Sequence, residues 1–266
     1  MVYDGIGAGR RAWAGHTAAE IRRIGEEDGS VVVVPIASLE QHGPHLPTAT
    51  DTILATAVAH HGAEAAEDVP ALVLPPVWSG YSPHHTPFGG TVTVGFETML
   101  ALVRDIVTSA VGNGFDAALI LNGHGGNAPL VGAATGTLGP ALPDVDVVGL
   151  TYWHLASVAF NEDLRTTDLG GASHAGEFET SLMLHLRPDL VGDARPSEPR
   201  DPIYEHQGRD MHDPGPLSVY RDWDAVSESG VMGDASAASA ETGAALLEVL
   251  REALATLLRD IHAKNR

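Results

Sequence analysis

Glu40, His42 and Asp51 fall within the stretch "SLEQHGPHLPTATD" (38–51), and His124 falls within "LNGHGGN" (121–127). A third stretch, "SHAGEFETS" (173–181), adds His174, Glu177 and Glu179. Imidazoles mixed with carboxylates are the donor set of a metal site, and a metal site can activate water for hydrolysis. Alternate side chains of an extended segment share a face, so Glu40 and His42 can point the same way while Gln41 points elsewhere. They could serve two metals or one. Asp51, with two carboxylate oxygens, could bridge cations about 3.5–4 Å apart. If a helix opens at "SHAGEF", residues three apart lie on one face, so His174 and Glu177 look into one cavity while Glu179 points away into a structural hydrogen bond. Gly123, Gly125 and Gly126 allow backbone to approach the site without a Cβ. A lone His after a strand is ordinarily packing, and glycines there ordinarily make a turn. Three such segments, each at a strand end or helix start, point instead to a metal centre. The chain has no cysteine, which removes disulfides, thiolate nucleophiles and thiolate-bound metals. Nitrogen and oxygen donors suit Zn²⁺, Mn²⁺ or Fe²⁺.

The elements that would position these residues are legible as alternating strands and helices. "VVVVPI" (31–36), "ALVLPPV" (71–77), "FDAALILN" (115–122) and "VDVVGLTYW" (145–153) read as strands, the first a β-branched run suited to burial on both faces. Thr17 followed by Glu20 makes a capping box that opens a short helix. "TILATAVAHHGAEAAE" has helical spacing and puts Asp51 at or beside an N-cap. "ETMLALVRDIVTSAVGNG" reads as an amphipathic helix stopped by glycine. "EFETSLMLHL" reads as a helix stopped by Pro188, and "SAASAETGAALLEVLREALATLLRDIHAKN" as a long closing helix. Residues 193–232 show no period and form a long irregular excursion, a kind of segment that is often functional. The alternation predicts an α/β domain with a mainly parallel sheet covered on both faces, spanning 1–266 as one unit. Ligands of such folds bind beyond the carboxyl ends of the strands, where "EQHGPH" and "NGHGGN" both begin.

The net charge is −20, and 35 acids face 15 bases of which only Lys264 is a lysine. Nucleic acid and anionic membranes would be repelled by such a surface. Two explanations fit the bias. One is adaptation to a salty cytoplasm, where ~1 M salt screens self-repulsion over roughly 3 Å. The other is an acidic protein from a GC-rich genome that favours Arg over Lys. The start "MVYDGIGAGRRAWAGH" lacks an apolar leader, and no later run approaches ~18 apolar residues, so the expected location is the cytoplasm.

Taken together, "SLEQHGPHLPTATD", "LNGHGGN" and "SHAGEFETSLMLHLRPDLV" resemble, in order and spacing, the motifs of the creatininase (creatinine amidohydrolase) family. The likeness runs from "GHTAAEIRRI" through "HHTPFGGTVTV" to "SGVMGDASAASAETG". The resemblance implies a three-layer α/β/α fold and a binuclear centre, with zinc the first expectation and manganese or iron the alternatives. It implies a homo-oligomer, a hexamer in the best-known members. Carried over by matched position, Glu40, Asp51 and His124 would hold one metal, and His42 and Asp51 the second. The family's last ligand, a Glu two residues after the motif His, is replaced here by Gly126, and Glu177 is the expected substitute, with Glu179 the alternative. His174 matches the family's proton shuttle, which protonates the leaving nitrogen; its other reading is an orienter of Glu177. Trp153 is either an aromatic wall of the substrate pocket or core packing. His85 matches a His ahead of an "FPGT"-like motif that reads "FGGT" here, and is expected near the substrate pocket. His45 and His84 are expected outside the ligand set.

The activity implied is hydrolysis of a non-peptide C–N bond, linear or cyclic, by water activated at the two metals. The family also contains a deformylase acting on a formylamino-pyrimidine ribonucleotide and a peptidase that trims the mycofactocin precursor. A phosphorylated substrate would require a basic pocket from Arg165, Arg195, Arg200 or Arg209 in or near the excursion. The competing class is a non-catalytic protein that binds a small molecule, against which the complete donor set argues.

Overall fold

The structure, a computed structural model, describes residues 9–199 and 201–266. Residues 1–8 and Arg200, one of the candidate phosphate ligands, lie outside the described residues.

Four parallel strands form the central sheet in the order β2-β1-β3-β4: β1 Val31–Ile36, β2 Ala71–Val73, β3 Ala117–Asn122 and β4 Asp146–Thr151. β1 and β3 are buried along their whole length. Period-two alternation splits β1 between two cores: Val31 and Val33 enter one, Val32, Val34 and Ile36 the other. The first core is closed by α2 (Thr50–Ala65) with α6 (Glu177–Leu186) and α7 (Ala240–Lys264). The second is closed by α1 (Ala18–Gly25), α3 (Phe96–Val111) and α4 (Ala128–Ala141). The result is the expected three-layer α/β/α arrangement. Between β4 and α6 lie short helical turns, among them α5 (Ser157–Ala159) and a π-turn at Phe160–Leu164.

Local chemistry accounts for most element ends. The Thr17–Glu20 capping box is formed at the start of α1, and Ser239 caps α7 by accepting the Thr242 N–H, so α7 begins at Ala240 rather than in the preceding serines. β2 stops at Val73 instead of running to Val77, because Pro75 and Pro76 have no N–H to give the ladder; Val77 rejoins as a lone bridge to Ile36. β4 ends at Thr151, and Tyr152–Leu155 winds into a 3-10 turn. Early in the irregular excursion, β5 (Ser197–Glu198) pairs antiparallel with β6 (Gly233–Asp234), which follows directly on its end. Among the described residues no helix is long and apolar enough to cross a membrane.

Candidate metal centre and cavity

Every predicted donor except Glu177 converges where β1 and β3 end. Glu40 and His42 follow β1, His124 follows β3, and Asp51 is the second residue of α2, where a helix N-terminus favours an anion. All four are buried. His124 Nδ1 lies 3.0 Å from Glu40 Oε2 and 3.2 Å from Asp51 Oδ2, while His42 Nε2 lies 3.1 Å from Asp51 Oδ1. Asp51 therefore turns one oxygen to each imidazole.

Hydrogen bonds on the far side of each ring fix what the near side offers. His124 Nε2 lies 3.1 Å from the Tyr81 carbonyl, and His42 Nδ1 lies 3.1 Å from the Glu40 carbonyl. A carbonyl only accepts, so those nitrogens carry the protons and the opposite nitrogens turn lone pairs toward the carboxylates. Glu40 Oε2 and Asp51 Oδ2 are buried without a hydrogen-bond partner among the described residues. Lone pairs and anionic oxygens crowded in this way require a cation between them. In the metal-free chain a proton takes that place. Burial works against charging His42, but the Asp51 carboxylate, aided by Glu179 and Glu40, pushes it up to about 9. His124 is likewise held well above the imidazole range, with Glu40 and Asp51 outweighing its burial. Glu40 is buried too, yet His124 and His85 hold it well below the carboxylate range.

The carboxylate of α6 that joins the cluster is that of Glu179; Glu177 lies away from it. His42, Asp51 and Glu179 bring ligand atoms within 4.8 Å of one another, as do Glu40, Asp51 and His124. Burial, against the pull of His42, pushes Glu179 up to about 7. Glu177 is occupied elsewhere: its Oε1 accepts from Thr166 N and Oγ1, and its Oε2 from Thr167 N and Oγ1. The expected spacing rested on a helix that included His174. α6 instead starts at Glu177, and Ala175, at φ 55°, reverses the chain just before it. Glu179 then faces the centre, its Oε2 steadied by the Ala175 N–H at 2.6 Å. At Gly126 a Cβ would collide with the Tyr81 carbonyl and His124 Nε2, so no side chain is offered from that position.

His174 reaches the same centre from the loop before α6. Its Nε2–H donates to the Gln41 carbonyl at 2.8 Å, and its Nδ1 stands 3.6 Å from Glu40 Oε1. Burial first, then His42 and His85, hold it well below the imidazole range. A third grouping of donors, Glu40, His42 and His174, follows from this placement. His85 is arranged differently. The Gln41 side-chain amide donates to its Nδ1 at 2.9 Å, leaving Nε2–H to donate to Glu40 Oε1 at 3.2 Å. His45 is hydrogen-bonded to Thr180 at 2.9 Å, away from the ligand atoms. Gly89 takes φ 77°, a conformation closed to the proline expected there.

A cavity of about 870 Å³ opens over the cluster, and Trp153 and His85 both line it. Trp153 also packs in the first core. Sequence reasoning missed Tyr81, Tyr220 and Trp223 in the wall, of which the last two belong to the excursion. No periodicity marks them; the excursion's length was the available signal. Arg165 is committed to Asp210 and Arg195 donates to the Ala238 carbonyl; among the described residues the arginine lining the cavity is Arg221, and Arg209 is not in its wall.

Residues 14–258 match the family described as Creatininase: Creatinine amidohydrolase. The mycofactocin precursor peptide peptidase of Mycolicibacterium smegmatis is 36% identical over 219 residues, 80% of this chain and 78% of that protein. The creatinine amidohydrolase of Pseudomonas putida is 31% identical over 245 residues, covering 86% and 89%. A solved structure titled "Creatininase Mn" superposes with a TM-score of 0.80 at 29% identity, covering 93% of this chain and 97% of that one.

Proposed function

Since the chain belongs to the creatininase family, we propose that it is a metal-dependent amidohydrolase that cleaves a non-peptide C–N bond, linear or cyclic, at a two-ion centre. Glu40, Asp51 and His124 would hold one ion, and His42, Asp51 and Glu179 the other. Zn²⁺ is the first choice for this donor set, with Mn²⁺ and Fe²⁺ as alternatives. When bound, such ions acidify water and polarise a carbonyl. The observation that carries the reading is Asp51, whose two oxygens face His42 and His124 at 3.1 and 3.2 Å.

The chain's own residues supply the rest of the chemistry. His174 is neutral in its buried setting, and its Nδ1 is free to take a proton and return it to the departing nitrogen. Gln41 fixes the two flanking rings, accepting from His174 through its carbonyl and donating to His85 through its amide. His85 in turn steadies Glu40.

Cleavage of a peptide amide is the second reading, favoured by the 36% identity to a precursor peptidase. A nucleotide substrate has less support, because Arg165 and Arg195 are committed within the fold. The test is metal analysis with turnover. Two equivalents of metal per chain, and hydrolysis of an amide panel abolished by chelation and restored by Zn²⁺ or Mn²⁺, are expected. Bound metal with no turnover of any amide would leave a binding protein.

A further inference from the structure

The cavity exceeds what the centre itself requires. At about 870 Å³ it lies toward the upper end of the ~300–1,000 Å³ range of sites for drug-sized ligands. A single small ring such as creatinine would leave most of it unfilled.

Two acids in its wall are already satisfied. Glu198 accepts from Ser227 Oγ and from the N–H groups of Glu228 and Ser229. Asp210 accepts from Arg165 and from the N–H groups of Gly170 and His212. Asp201 and Arg221 also line the cavity but are solvent-exposed. Most of the remaining wall beyond the histidines is apolar: Tyr81, Trp153, Ile203, Tyr220, Trp223 and Val226. Ile203, Tyr220 and Val226 are 51%, 57% and 40% exposed, a concentration of open apolar surface beside a reactive centre. Trp223 stands closest to the chemistry, its ring 4.4 Å from His85 and 4.5 Å from His174, centroid to centroid. That places the indole beside the imidazoles that flank the cluster.

We propose that the substrate carries a bulky apolar group of aryl size next to the scissile amide, and that Trp223 is the residue that selects it. The proposal rests on the amidohydrolase reading above and narrows its substrate class. Flat apolar groups gain dispersion and offset-stacking contacts on an indole that a methyl group does not.

Acetohydroxamate and benzohydroxamate present the same chelating group and differ by methyl against phenyl. Calorimetric titration of the zinc-loaded full chain is expected to show benzohydroxamate binding at least about tenfold more tightly. Trp223→Ala is expected to erase most of that ratio at unchanged zinc content, and Trp223→Phe to retain it. Equal affinity in the unaltered chain, or a ratio that survives Trp223→Ala, overturns the proposal. Binding of neither compound overturns it through its premise, the metal centre, and is thereby distinguishable from binding of both alike.

Discussion

Exchanging the two glutamates of α6 for glutamine, one at a time, separates a carboxylate that faces the centre from one that fastens the fold. Glu177 accepts four hydrogen bonds from Thr166 and Thr167, two at each oxygen. In Glu177→Gln one oxygen becomes an NH₂ group, which confronts two donors with a third. Hydrogen bonds to a charged group contribute about 1.5–3 kcal/mol each against about 1 for neutral ones, so losing one acceptor oxygen with its two bonds and weakening the two at the other costs about 2–4 kcal/mol after relaxation. For a chain of this size that corresponds to a fall in Tm of roughly 4–16 °C. Zinc content should be preserved, since among the described residues Glu177 belongs to none of the donor groups. Glu179→Gln should do the reverse. Its carboxylate is one of three donors in the group with His42 and Asp51, so one ion should be weakened by more than the ~10–100-fold that loss of an outer partner costs. Elemental analysis after dialysis against buffered zinc, with thermal melts of the same samples, reads both quantities. Metal loss at unchanged Tm in Glu177→Gln, or two full equivalents in Glu179→Gln, would refute the division of roles.

His174→Ala should keep the metal complement and lower turnover by ~10²–10⁴-fold, as expected for a residue that moves a proton; loss of an ion would make His174 a ligand. Zinc affinity should rise with pH. In the metal-free chain His42 is raised from 6.5 to about 9 and Glu179 from 4.5 to about 7, so the stability each gives is complete below its unfolded value and fades as pH climbs through its folded one. Zinc must displace those protons, and the apparent Kd should fall about tenfold per pH unit for each proton released. Competition titrations with a chelator across that window check this, and a flat profile would contradict the proton-for-cation exchange.

What could be read beforehand was whatever short-range chemistry decides. β1 and β3 are unbroken apolar runs, and Glu40, His42, Asp51 and His124 sit at the ends of those strands or at the first turn of α2. α4 was not foreseen, because "APLVGAATGTLGPA" is weighted with glycine, threonine and proline, which are poor helix formers. Its helicity is carried by burial of Leu130, Val131, Ala134 and Leu138 against the sheet, a tertiary effect. The Glu177 and Glu179 assignment turned on a single backbone reversal at Ala175, for which residue type gives no warning. The aromatic wall was out of reach for a related reason: Tyr220 and Trp223 are carried to the site by an excursion without period.

In the proposed centre, the absence of a carboxylate at Gly126 and the placing of Glu179 are linked through the packing. The turn after β3 is pressed so closely on Tyr81 that only glycine fits at 126 without moving the His124 ring. That closeness also lets the Tyr81 carbonyl accept from His124 and fix the lone pair that faces Glu40 and Asp51. A ligand supplied from this side would disturb the imidazole it was meant to assist. In the proposed centre the remaining donor would come from α6, which brings Glu179 in its first turn. There Glu177 clamps the threonine pair at the helix start, and the Ala175 N–H holds Glu179 in place. One glutamate sets where the helix begins, and that starting point decides that the other looks inward. Moving the helix start by a residue or two would rotate Glu179 away from His42 and Asp51, whatever the identity of the side chains around it.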